Sequence, residues 1–260
     1  MTDQTGAYFA MSLLDTSGDS LPIAAALADL NAGADASQRI RSFVRRESRI
    51  THAQQRAFVE LWGRFGIDAG AAQLDLEQVF GRHGPRVLEI GFGDGESLAA
   101  MACADPQTDY LGIEVHRPGI GHLLLRAAEL QLGNLRILCA DAVEVIERQL
   151  PDAGFDRIQI FFPDPWPKVR HHKRRLIQRS FIALLAHKMK PDGQLLIATD
   201  CVNYAHSILN LLNATPELRN MVNGDGFAPR PIQRLLTRFE QRGQRLGHRV
   251  WDLAFVRRAE

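Results

Sequence analysis

The chain has 260 residues, 31 Lys and Arg against 30 Asp and Glu, 45% hydrophobic and 23% charged residues, and a formal net charge of +1. Such values exclude wholesale disorder and a collagen-like chain, and the length admits one large domain or two small ones. Three scattered cysteines (Cys103, Cys139, Cys201) exclude a disulfide scaffold and a cysteine zinc site; with no apolar run near the roughly 20 residues of a membrane helix and no cationic signal-peptide start, a cytoplasmic protein free of membrane and metal is expected.

Residues 1–38 hold five acids (Asp3, Asp15, Asp19, Asp29, Asp35) and no Lys or Arg. A flexible acidic tail is expected there, with a short helix over 21–30 as an option. Residues 39–49 reverse the sign with Arg39, Arg41, Arg45, Arg46 and Arg49 against Glu47. An amphipathic helix should follow over 51–66, with Phe58, Leu61, Trp62 and Phe65 at helical spacing. Residues 39–260 are then one domain, with 39–66 a basic N-terminal extension.

From residue 86 short apolar runs (86–90, 110–114, 135–140, 156–162, 193–200) alternate with helical stretches (96–104, 117–131, 142–150, 173–188, 202–213). Continuous apolar strands alternating with helices predict a doubly wound α/β domain, its mostly parallel sheet covered by helices on both faces. The segment after Val250 predicts a last, antiparallel edge strand. In such sheets ligands bind beyond the carboxyl ends of the strands.

The first of those ends is rich in glycine. Strand 86–90 runs into Gly91, Gly93 and Gly95, and a helix opens at Glu96. The dinucleotide pattern G-x-G-x-x-G would need glycine at Glu96, and an acid at that helix start opposes a pyrophosphate. The spacing fits E-x-G-x-G-x-G, which resembles the first motif of class I S-adenosylmethionine-dependent methyltransferases, whose cofactor is a phosphate-free sulfonium cation that suits nearby Glu89. Glu114, about twenty residues on, can accept ribose hydroxyls. Asp141, at the third strand end, can accept from an adenine amine or cap the next helix.

The fourth strand ends in the stretch from Phe161 to Arg175. Pro163, Pro165 and Pro167 stiffen a loop that carries Asp164. Lys168, Arg170, Lys173, Arg174 and Arg175 surround His171 and His172, a density that suits phosphate. Trp166 is a candidate for stacking on a base. The bland alternative is a proline-rich loop before a solvated helix start, where a dipole would favour acids over these cations.

Pro163-Asp164-Pro165-Trp166-Pro167-Lys168, followed by Arg170-His171 and Lys173-Arg174-Arg175, resembles the signature of the bacterial tRNA (guanine-N7)-methyltransferases. The similarity extends to Arg41 through Arg46, Glu89 through Gly93, Gly112-Ile113-Glu114, Ala198-Thr199-Asp200, Thr237 through Glu240, and Arg242-Gly243 through Leu253, roughly residues 40–258. It implies a class I methyltransferase fold and S-adenosyl-L-methionine bound by Glu89, Gly91, Gly93, Gly95, Glu114, Asp141 and Asp164. It also implies that Asp164 is the catalytic residue. Lys168, Asp200, Thr237, Arg238, Phe239 and Glu240 would contact a guanine of the tRNA variable loop. Trp166 and the run Arg170, His171, His172, Lys173, Arg174, Arg175 would contact RNA. Cys201 and Arg249 depart from the family pattern without replacing a residue of the chemistry.

Guanine N7 attacks with a lone pair and no proton, so the absence of an obvious catalytic His or Cys is consistent. Arg230, Arg234, Arg238, Arg242, Arg245 and Arg249 add a third basic patch, of which about a third should be structural, covering apolar surface or forming salt bridges. Two alternatives stand beside this reading: a methylase of an exocyclic base amine, whose Asp-Pro-Pro-Tyr loop is faintly similar to Pro163-Asp164-Pro165-Trp166, and an RNA-binding protein without chemistry. His116 and His122 are isolated and are not read as metal ligands. Monomer and homodimer remain equally open.

Overall fold

The computed structural model describes residues 42–43, 49–224, 226–231, 234, 236, 240, 247 and 249–259. The expected acidic tail, the optional helix at 21–30, Arg39, Arg41, Arg45, Arg46, Thr237, Arg238, Phe239, Arg242 and Arg245 lie outside the described residues.

Helix α1 (His52–Phe65) starts at a capping box, in which Thr51 and Gln54 each accept from the other's backbone N–H. Strand β1 (Gly66–Ile67) and helix α2 (Leu76–Phe80), capped by Asp75, precede the sheet proper. Then come β2 (Arg86–Ile90), α3 (Glu96–Ala104), β3 (Asp109–Glu114), α4 (Arg117–Glu129), β4 (Leu135–Cys139), α5 (Ala142–Arg148) and β5 (Phe155–Phe161). A 3₁₀ turn (Val169–Arg174) leads to α6 (Arg179–Lys188), β6 (Met189–Thr199), α7 (Val202–Asn213), β7 (Leu218–Asn220) and β8 (Trp251–Arg257).

Among the described residues the strands form one sheet in the order β1-β4-β3-β2-β5-β6-β8-β7. All neighbours are parallel except β8, which runs antiparallel to both β6 and β7. The order reverses at β2, which lies between β3 and β5, so the loops after β2 and β5 are neighbours at the carboxyl edge.

Alternation along the strands decides which helix meets which face. Leu88, Leu111, Ile158, Leu195 and Phe255 join one buried cluster with Ile146 of α5, Phe181 and Leu185 of α6, and Ile208 and Leu212 of α7. The opposite face presents Gly112 to Leu98 of α3, which a Cβ there would approach to 2.7 Å. Each fully buried Leu or Ile contributes about 1.5–3 kcal/mol relative to exposure. Helix α1 lies against α4 at Gly121, where a Cβ would come within 2.7 Å of Gln54 Cβ, and Gln54 Nε2 donates to Pro118 O at 2.9 Å.

Three expectations are corrected. The helix expected over 173–188 begins only at Arg179. Residues 175–178 leave the helical path because Arg175 is buried and the Ile177 N–H donates to the Tyr204 hydroxyl at 3.1 Å. The final strand is antiparallel but not at the edge: the three-residue β7 covers its outer side. The strand expected from 193 starts at Met189, with Asp192 at φ 60° where the pairing with β5 is irregular. Among the described residues no helix is long and apolar enough to cross a membrane, and no cluster of His, Cys, Asp or Glu could hold a metal ion.

Candidate active site

The turn after β2 is held from two sides. The Gly91 N–H donates to Ile113 O at 2.8 Å, and the Gly93 N–H donates to Glu114 Oε2 at 2.9 Å. Gly91, Gly93 and Gly95 have φ of 75°, 62° and 77°, the left-handed region that a Cβ disfavours. A Cβ at Gly91 or Gly93 would meet nothing within 4 Å, so open space lies over this backbone; at Gly95 it would strike Leu123 at 2.7 Å.

Glu89 sits one residue before the end of β2 and is only 3% exposed. Its Oε2 accepts from Gln159 Nε2 of β5 at 2.7 Å. Burial pushes its pKa up to about 7 against the pull of Gln159 and Arg157, with Glu114 and Asp94 adding to the rise. A buried acid at the floor of an open cradle favours a cation above it. Glu114 ends β3 and accepts from three backbone N–H groups, those of Gly93, Val115 and His116. An ionised carboxylate offers about four acceptor sites, so capacity for a hydroxyl remains. Asp141 caps α5, its Oδ1 accepting from Val143 N at 3.0 Å, so the capping role that the sequence left open is present. The cradle, the buried acid and the strand-end carboxylates fit a phosphate-free, cationic adenosyl cofactor.

Across the switch point, the loop after β5 is stiffened by more than proline. Phe162 and Trp166 both have positive φ, 53° and 42°, which bulky residues adopt only when their surroundings hold them there. The Phe162 N–H donates to Ala198 O at 2.8 Å, extending the β5–β6 pairing. Arg175 Nε donates to Pro165 O at 2.9 Å, and its guanidinium lies 4.6 Å from the Tyr204 ring centre. Asp164 is thereby exposed between two fixed prolines.

The basic run divides. Lys168, Arg170 and Lys173 are exposed, and His171, His172 and Arg174 are half-buried. The neighbouring cations Arg170, Arg174, Lys168 and Lys173, after desolvation, hold the His171 pKa down. Arg175, expected on RNA, is corrected: it is buried and pins the loop. Trp166, expected to be free for a base, is half-buried, and its indole N–H donates to Ser42 O at 3.0 Å.

The C-terminal residues bring a second correction. Glu240, expected against substrate, is buried with Arg234. Arg234 Nη1 and Nη2 donate to the two oxygens of Glu240 at 2.5 and 3.0 Å, while Nε and Nη2 donate to those of Asp252 at 2.7 and 3.0 Å. The same guanidinium lies 5.7 Å from the Phe162 ring, at the base of the proline loop. Arg234 is therefore structural rather than part of an RNA patch, and the exposed Arg230 donates to its backbone oxygen at 2.8 Å. Arg249 is exposed and lies 5.7 Å from the Trp251 ring; Asp200 is half-buried at the end of β6. Three contributors were not singled out in the sequence: Gln159, Arg234 as an ion-pair hub, and Gly119, where a Cβ would come within 1.9 Å of Gly93 O. Only Gln159 left a readable sign, a polar residue inside an otherwise apolar strand end.

A methyltransferase family model, Methyltransf_4, matches residues 83–253. A tRNA (guanine-N(7)-)-methyltransferase of Alcanivorax borkumensis is 50% identical over 222 residues, covering 85% of this chain and 93% of that one. Proteins of the same name from Alkalilimnicola ehrlichii and Methylobacillus flagellatus are 52% identical over 221 residues and 53% identical over 220, each covering 84% of this chain and 93% and 92% of their own. With half of the residues shared across nearly the whole of each relative, the chain belongs to the tRNA (guanine-N7)-methyltransferase family.

Proposed function

We propose that the protein transfers the methyl group of S-adenosylmethionine to N7 of a guanine in the tRNA variable loop. The observation that carries the site assignment is the adjacency of β2 and β5. That adjacency supports reading the loop that carries the exposed Asp164 and the open glycine turn after the buried Glu89 as one site.

The cofactor supplies an electrophilic methyl group on a sulfonium sulfur. Glu89 would hold that cationic end, because a nearby positive charge favours its ionised form. Glu114 accepts the ribose hydroxyls, Asp141 accepts from the adenine amine, and Gly91, Gly93 and Gly95 keep side chains out of the way. The guanine N7 lone pair forms the new N–C bond while the C–S bond breaks and its electron pair stays on sulfur. No proton leaves N7, so no general base is required. The ring becomes cationic as the bond forms, and Asp164, fixed between Pro163 and Pro165, stabilises that charge more in the transition state than before it. In-line alignment of the two reactants supplies much of the remaining acceleration.

Lys168, Asp200 and Thr237 to Phe239 serve the substrate side, and Arg170, His171, His172, Lys173 and Arg174 meet phosphates. In this reading Glu240 acts through Arg234, which ties it to Asp252 of β8. Methyl transfer from labelled S-adenosylmethionine to unmodified tRNA, followed by nucleoside analysis, tests the proposal. N7-methylguanosine that disappears when the variable-loop guanine is replaced is the expected result; methylated adenine, or no product, would reject it.

A further inference from the structure

We infer that Trp166 is a positioning residue that latches the backbone at Ser42 onto the proline loop, not a platform for a stacked base. The inference deepens the proposed tRNA reading and rests on it for the identity of the anion. Its first support is the hydrogen bond from the indole N–H to the backbone oxygen of Ser42, 124 positions away in sequence. Because the acceptor is main chain, the bond holds the backbone at Ser42 whatever side chain stands there. Ser42 follows Arg41 and precedes Arg45, Arg46 and Arg49.

The second support is the use already made of the ring. The Arg174 guanidinium lies 4.5 Å from its centre, a cation–π distance, and the His171 ring meets it nearly perpendicularly at 5.8 Å. A base-stacking side chain needs an open face; this one has a face covered by Arg174 and its only donor engaged.

The third support is charge. The sequence around Ser42 carries five arginines against one acid, and the loop that holds Trp166 carries Lys168, Arg170 and Lys173, so the two stretches share a sign. An uncharged N–H and a π face are means of joining two like-charged segments without adding an acid that RNA would have to displace. A cavity of about 270 Å³ is lined by Ser42, Glu147, Lys173, Gln178 and Phe181 among others. The positive φ of Trp166 aims the ring at Ser42, and Arg175 on Pro165 O steadies that conformation.

Full-length Trp166→Phe keeps an aromatic ring and deletes the donor. The probe is unmodified tRNA, titrated at several salt concentrations, with S-adenosylmethionine binding and thermal unfolding measured alongside. We expect tRNA affinity to fall about fivefold, the equivalent of one deleted hydrogen bond, and KM to rise with it. The cofactor Kd and kcat should stay within about twofold. The slope of log affinity against log salt should shrink by about 0.7–0.9 for each phosphate the protein no longer neutralises. In a protein with Arg39, Arg41, Arg45, Arg46 and Arg49 changed to Gln, Trp166→Phe should cost nothing more, since coupled residues are not additive. An unchanged affinity, or the same loss in both backgrounds, would overturn the latch. So would retention of affinity by Trp166→Phe with a large loss in Trp166→Ala, the signature of stacking. Binding is read independently of chemistry, so a wild-type protein that binds tRNA without methylating it would reject the proposed function and leave the latch testable.

Discussion

The turn after β2 and the loop after β5 stand side by side at one edge of the sheet and reach rigidity by opposite means. The turn uses glycines at positive φ, held by backbone bonds to Ile113 O and the Glu114 carboxylate. The loop uses prolines, two bulky residues at positive φ, and side-chain bonds to main-chain oxygens, Arg175 to Pro165 and the loop's own Trp166 to the distant Ser42. Glu89, the acid of the turn, is buried and titrates near 7, whereas Asp164, the acid of the loop, is exposed. A small cationic cofactor needs emptiness and a floor of negative potential. The proposed guanine target needs a protruding carboxylate that does not move, and the phosphates around it need cations. The same sheet edge supplies both because its two loops follow different local rules.

The sharpest way to break the comparison is to delete the exposed acid. Asp164→Ala should lower turnover by about 10²–10³-fold, the range for removal of one preorganised electrostatic partner. The cofactor Kd should change by less than about twofold, because the turn is left untouched. Steady-state kinetics and a cofactor titration decide it; turnover near wild type would remove Asp164 from the chemistry, and a parallel loss of cofactor binding would erase the division between the two loops.

The buried acid should answer to pH instead. Cofactor binding favours ionised Glu89, so below a pKa of about 7 the affinity should fall up to about tenfold per pH unit, flattening above it. Stability of the free protein runs the other way. An unfolded glutamate ionises from about 4.5, while the folded carboxyl holds its proton to about 7. The Glu89 contribution to stability is therefore greatest below the lower value and declines by up to about 3 kcal/mol as pH rises to the upper one. Glu89→Gln should abolish both slopes, weakening cofactor binding at pH 8 while raising the melting temperature of the free protein there. Cofactor titrations and melts at pH 6, 7 and 8 check both signs.

Glycine substitutions then sharpen the contrast within the turn itself. Gly93→Ala meets only open space, so it should cost the roughly 1–2 kcal/mol of a left-handed residue. Gly95→Ala adds a collision with Leu123, worth about 1–3 kcal/mol more. Denaturant unfolding should therefore rank Gly95→Ala below Gly93→Ala, and equal losses would show that Leu123 yields freely.

How far the sequence revealed this arrangement follows from the range of the forces involved. Strand 86–90 and the helices at 96–104 and 202–213 have the observed bounds, because an apolar run between glycine and a helix start is a local signal. The strand-end acids were legible for the same reason: each directly ends an apolar run. The break at 175–178 was hidden, since the apolar spacing from Leu176 onward continues a helical pattern while its cause, Arg175 on Pro165 and Tyr204, is tertiary. The pairing of Glu240 with Arg234 was equally unreadable, because an arginine-rich segment looks the same whether its members face RNA or a buried carboxylate. β7 was missed because its three residues carry no period.

The smallest expected effects lie within the basic run, where two neighbouring cations should behave as different residues. Arg175 is 7% exposed, donates to Pro165 O and lies over Tyr204. Arg175→Ala leaves that carbonyl without its side-chain donor and opens the packing on a buried ring, so it should destabilise the fold by about 1–3 kcal/mol. Turnover should fall with it, through the loosened Asp164 loop, and tRNA binding should keep its salt dependence. Lys173 is exposed, and Lys173→Ala should leave the melting temperature unchanged. It should weaken tRNA only a few-fold and reduce the salt slope by about one unit, as leaving a single phosphate unneutralised does. Melting curves and tRNA titrations at low and moderate salt separate the two. Should Arg175→Ala alter the salt slope while Lys173→Ala does not, the division of this run into a structural and an RNA-facing part would be reversed, and the loop would owe its stiffness to proline alone.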